Sequence, residues 1–63
     1  MFAQLLKRLN ALRLQAYSNG LGSKWDEADK RLDMARNTNV PRLAIEWFVD
    51  AQLMIDELDV RLS

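Results

Sequence analysis

"RLAIEWFVDAQLMIDELDVRL", Arg42 to Leu62, decides the fold of this chain. Its apolar residues recur at helical spacing, yet they are too many for one stripe. On a wheel of about 100° per residue, Ala44, Trp47, Phe48, Ala51, Met54, Ile55, Leu58 and Leu62 share one broad arc. That arc is wide enough to receive two further helices. Val49, Leu53 and Val60 cluster on nearly the opposite side, bounded by Glu46, Asp50 and Glu57 on one flank and by Gln52 and Asp56 on the other. The stretch predicts a helix with a main core face and a second, thinner apolar ridge.

Working outward, "NTNVP" precedes this helix. Pro41 lacks an N–H and disfavours helix in the residue before it, but fits the first turn of a new one. A helix over about 40–62 is expected, capped by Asn39 or Thr38. Upstream, Trp25, Ala28, Leu32 and Ala35 form a narrow stripe that predicts a second helix over about 24–37. Ser23 is its expected cap, followed by Asp26 and Glu27 in the first turn. Asp26–Lys30 supports that helix and Asp29–Asp33 opposes it. "SNGLGS" is the earlier break, where Asn19 and Gly20 suit a left-handed helix end and Gly22 adds a second permissive position. Phe2, Leu5, Leu9, Leu12 and Ala16, with Leu6 and Tyr17 beside them, predict a first helix over about 2–18. No stretch alternates with a period of two for long enough to be a strand. The expected fold is therefore all-α, one helical domain over 1–63. It is a short three-helix bundle, or a kinked helical hairpin if the second helix runs on through Pro41.

Chains of 63 residues bury a small share of their surface and usually need a staple. The absence of cysteine excludes disulfides, iron–sulfur clusters and thiolate metal sites, and the absence of histidine removes the commonest transition-metal ligand. Oligomerisation is the staple that remains, so a homodimer is expected.

Formal charge is zero but unevenly placed. Met1 to Trp25 carries Lys7, Arg8, Arg13 and Lys24 with no acid, whereas the remainder carries every acid of the chain against five bases. A basic first element and an acidic remainder attract each other within one fold or across a dimer.

The inventory argues against an enzyme. A serine nucleophile has no histidine beside it, and no motif supports a serine–lysine pair. Glu46–Asp50 and Asp29–Asp33 lie at helical spacing rather than in a calcium-type loop, so no metal is expected. "GLGS" lacks the glycines and the Gly-Lys pair of a phosphate loop, so no cofactor is expected either.

The leading expectation is a small interaction protein: a regulator, inhibitor or adaptor that covers a surface on another protein, on a second copy of itself, or both. Its interface residues would be Val49, Leu53 and Val60 with Glu46, Asp50 and Glu57 at the rim. Products of this size and type are common among phage, plasmid and bacterial accessory proteins. The alternative is nucleic-acid binding by the basic first helix, through Lys7, Arg8, Asn10 and Gln15. In size and helical character alone, without a shared motif, the chain resembles the small plasmid RNA-binding four-helix bundles of the Rop type. That resemblance implies that basic faces of first helices grip paired RNA loops. A helix-turn-helix reading of Trp25 to Gln52 fails because Glu46 and Asp50 on its recognition helix would repel phosphate. Membrane-surface association is a third reading, with Phe2, Leu5, Leu6, Leu9 and Leu12 facing lipid, but it competes with their use as core. No stretch reaches the ~20 apolar residues of a membrane span, and Lys7, Arg8 and Arg13 interrupt any secretory signal. Cytoplasmic residence is the expectation.

Among single residues, Arg13 falls inside the apolar face of the first helix. It is expected to reach the edge or pair with an acid of the other helices. Trp25 and Trp47 are expected in the core near its boundary, while Met34 and Leu14 project away from their stripes.

Overall fold

The computed structural model describes residues 2–63. It contains α1 (Phe2–Ser18), α2 (Gly22–Asn37) and α3 (Pro41–Leu62), and no strand among the described residues. The hairpin alternative is set aside, because α2 and α3 are separate helices with a non-helical break between them. α1 runs beside α3 in the same sense, with Phe2 meeting Phe48 and Arg8 meeting Asp56. α2 returns between them, with Leu9 of α1 meeting Trp25 and Lys24 lying near Glu57 and Leu58 of α3. The result is an up-down-up three-helix bundle.

The core unites all three helices. Leu9, Leu32, Ile55 and Leu58 are its largest fully buried side chains, and burying each contributes roughly 1.5–3 kcal/mol. Ala16, Ala28, Ala35 and Ala51 are buried with them, and such small residues let helix axes approach closely. Phe2 packs edge-on against Phe48, the ring centroids 5.1 Å apart. The radius of gyration is 11.3 Å, against about 10.6 Å for a compact chain of this length. The excess is elongation: the principal extents are 35 × 19 × 14 Å. A 22-residue helix is about 33 Å long, so α3 runs the length of the molecule.

α1 ends in a Schellman motif. Gly20 has φ of +75°, Leu21 N–H donates to Ala16 C=O at 2.7 Å, and Gly20 N–H donates to Tyr17 C=O at 3.4 Å. The left-handed end expected at Asn19–Gly20 is therefore present. Gly22 acts differently from expectation. It is a buried helical residue, and a Cβ there would lie 2.6 and 2.7 Å from ring carbons of Tyr17. Its hydrogen side chain makes room for an aromatic ring rather than for an unusual backbone.

Ser23 does not cap α2. The Schellman motif hands the chain straight to Leu21 at the N-cap, so α2 starts at Gly22 and Ser23 already lies in its first turn. The expected cap of α3 also moves. Val40 occupies the N-cap with no side-chain cap, Pro41 opens the helix, and Thr38 Oγ1 accepts from Val40 N–H at 3.2 Å just ahead of it.

Candidate interaction surface

The outer face of α3 carries a row of exposed aliphatic side chains. Ile45, Val49 and Leu53 follow at intervals of one turn and are 65%, 44% and 61% exposed; Val60, two turns further on, is 75% exposed. Ile55, two residues after Leu53, is completely buried. The two faces inferred from the helical period are therefore real opposites. Ile45 to Val60 spans about 22 Å along the axis, most of the length of the bundle.

Ile45 was absent from the ridge expected from sequence. On the wheel it stands between the ridge and the core arc, so the period alone does not assign it. Burial does. From Pro41 to Asp50 no residue of α3 is buried, and Ile45 itself is 65% exposed. Phe2, Ala44, Ile45 and Phe48 line an open, wholly apolar notch there. Trp47 lies in the same stretch. It is half-buried and outside the core cluster, which corrects its assignment to the core. Trp25 is the core tryptophan, its indole N–H donating to Leu9 C=O at 2.6 Å.

Charged groups frame the ridge. Arg42 Nε lies 3.7 Å from Glu46 and Arg61 Nη2 lies 3.0 Å from Glu57, both one turn apart on α3. Asp50 is exposed on the same flank. On the other flank Arg8 of α1 reaches Asp56 at 2.8 Å and Asp59 at 3.7 Å. All these groups are substantially exposed, so each pair contributes less than about 1 kcal/mol. Arg8 nonetheless docks the middle of α1 along α3.

The residues proposed for nucleic acid, Lys7, Arg8, Asn10 and Gln15, are all exposed on α1, but they have different neighbours. Arg8 turns toward the acids of α3, and Asn10 joins Arg13, Leu14 and Tyr17 around a shallow groove on the α1 surface. Lys7 and Gln15 are exposed, and the Gln15 carbonyl accepts the Asn19 side-chain amide at 2.7 Å. Arg13 pairs with no acid among the described residues. Its guanidinium carbon stands 5.5 Å from the centroid of the Trp25 ring, a cation–π contact at the bundle edge. Tyr17, 6.2 Å from the same ring, donates its hydroxyl to Asp26. The Tyr17 pKa is raised, first by that hydrogen bond, then by partial burial and the Asp26 charge, with Arg13 opposing. Leu14 is exposed on α1 beside the half-exposed Tyr17, and Met34 is half-buried. Among the described residues no three carboxylates converge on one point, and no helix is long and apolar enough to cross a membrane.

No family model, curated protein or solved structure matches this chain.

Proposed function

We propose that this is a non-enzymatic helical interaction protein, a regulator, inhibitor or adaptor, that works by laying the outer face of α3 against another protein. The observation that carries this reading is the row Ile45, Val49, Leu53 and Val60, exposed along α3 while the opposite face of the same helix supplies the core. Single exposed aliphatics are ordinary, but several aligned along one helix face and rimmed by charge are a mark of an interface. The mechanism is helix packing, in which the aliphatic row excludes water and the carboxylate rim selects the partner. A chain without histidine or cysteine supports the non-enzymatic part of the reading. We take the cytoplasm as its site of action, since a cysteine-free chain draws nothing from an oxidising compartment.

The second reading is self-association through the same row, favoured by the small size of the chain. RNA binding by α1 is less favoured, because Arg8 is engaged by Asp56 and Asp59 and Arg13 by Trp25. Light scattering behind gel filtration on wild type and Leu53→Glu tests the proposal. A dimer that the substitution converts to a folded monomer assigns the row to a second copy. Two folded monomers leave it for a different protein. A dimer that survives the substitution contradicts the proposal and moves self-contact to α1 or α2.

A further inference from the structure

Granting that the outer face of α3 is an interface, its charge distribution distinguishes between candidate occupants. The seam of that face reads Arg42, Glu46, Val49, Leu53, Asp56 and Val60, repeating every seven residues as Glu46, Leu53, Val60 and as Arg42, Val49, Asp56. The spacing is that with which two helices interlock, but half of these positions are charged rather than apolar. A second copy fits it poorly. In a parallel pair, equal positions meet, so Glu46 would face Glu46 and Asp56 would face Asp56. In an antiparallel pair, each flank meets its own kind, so the Asp50 and Glu57 flank would lie against itself. Arg61 could relieve this only by leaving Glu57, which it holds at 3.0 Å. Like charges brought together across an interface are penalised in either orientation.

The same rim favours a positive partner. Five carboxylates surround the row: Glu46, Asp50, Asp56, Glu57 and Asp59. Three arginines answer them: Arg42, Arg61 and, from α1, Arg8. Two carboxylates remain in excess, and Asp50 has no ion-pair partner among the described residues. The geometry points to a basic amphipathic helix of another protein as the occupant. Its aliphatic residues, at three- and four-residue spacing, would lie along Ile45, Val49, Leu53 and Val60, and its lysines or arginines would stand over Asp50 and the neighbouring acids. Such a partner offers the apolar cover that the row lacks and the charge that the rim lacks.

A display library of helical peptides tests this. Leu, Ile and Val are fixed at the seam positions, and Lys, Arg, Gln, Asp and Glu are randomised on both flanks. The library is selected against the full chain at low salt. The expected bound pool is enriched in basic flanks, and a basic peptide from it binds more tightly than its Lys-to-Glu counterpart by on the order of tenfold. That margin shrinks as salt is added. Selection against a Glu46→Lys, Asp50→Lys, Glu57→Lys variant reverses the preference, and Leu53→Glu depletes the whole pool. A pool without charge bias, or one biased toward acids, overturns the basic partner while leaving the face an interface. No enrichment overturns it, and a wild-type dimer that Leu53→Glu dissociates then assigns the face to a second copy. Enrichment that Leu53→Glu leaves unchanged overturns the use of this face altogether.

Discussion

The small cluster at the α1–α2 turn shows how much one hydrogen atom can decide. Gly22 has no side chain because the ring of Tyr17 occupies the place of its Cβ, and that ring lies beside Trp25 with its hydroxyl on Asp26. Gly22→Ala must push the ring aside, at a cost of about 1–3 kcal/mol for overpacking. In a Tyr17→Ala background the same substitution meets open space, and alanine's helix preference makes it neutral or stabilising by up to about 1 kcal/mol. Urea unfolding of the four proteins in this cycle measures the coupling, and additive effects would contradict the packing. The phenol itself gives a second prediction. Its folded pKa is raised above the ordinary 10.0, so its contribution to stability is complete below pH 10 and is lost as pH rises through the folded value. Tyr17 is the sole tyrosine, so tyrosinate absorbance reports it directly. Wild type should titrate above Asp26→Asn, and coincident curves would remove the hydrogen bond from the account.

At the scale of the element, α3 carries two faces with different duties, and substitutions on them should separate. Ile55→Ala empties a buried site and should cost about 2–5 kcal/mol. Leu53→Glu, on the outer row, should change unfolding free energy by no more than about 0.5 kcal/mol, as a surface position does. Chemical denaturation compares them, and a large loss at Leu53 would mean that the row belongs to the fold. This division was legible in the sequence, because helical period alone puts Leu53 and Ile55 on opposite faces. The three helices were legible for the same reason, as was the helix end at Gly20. Ile45 was not assigned, since on the wheel it stands between the two faces and only the folded arrangement shows which one it joins. Nor was the use of Gly22, or of Arg13 over Trp25 in place of an acid, since each depends on a neighbour that only the folded arrangement supplies. The capping error at Ser23 has a local cause: the Schellman turn at Gly20 and Leu21 shortened the connection by two residues.

Across the whole molecule, charge follows the helices. α1 carries Lys7, Arg8 and Arg13 without an acid, and α3 carries Arg42 and Arg61 against five acids. Within the bundle Arg8 bridges the two, and the surplus lies on the outside of α3, where the aliphatic row is also exposed. One experiment tests the resulting claim, that this face is built for association, most directly. Side-chain methyl signals are recorded with a soluble paramagnetic agent, first on the free chain and then on the chain saturated with a selected basic helix. The account predicts that Ile45, Val49, Leu53 and Val60 are strongly relaxed when free and protected when bound, while Ile55 and Leu58 are shielded throughout. Protection at Leu14 and the outer side of α1, with the α3 row still relaxed, would contradict it.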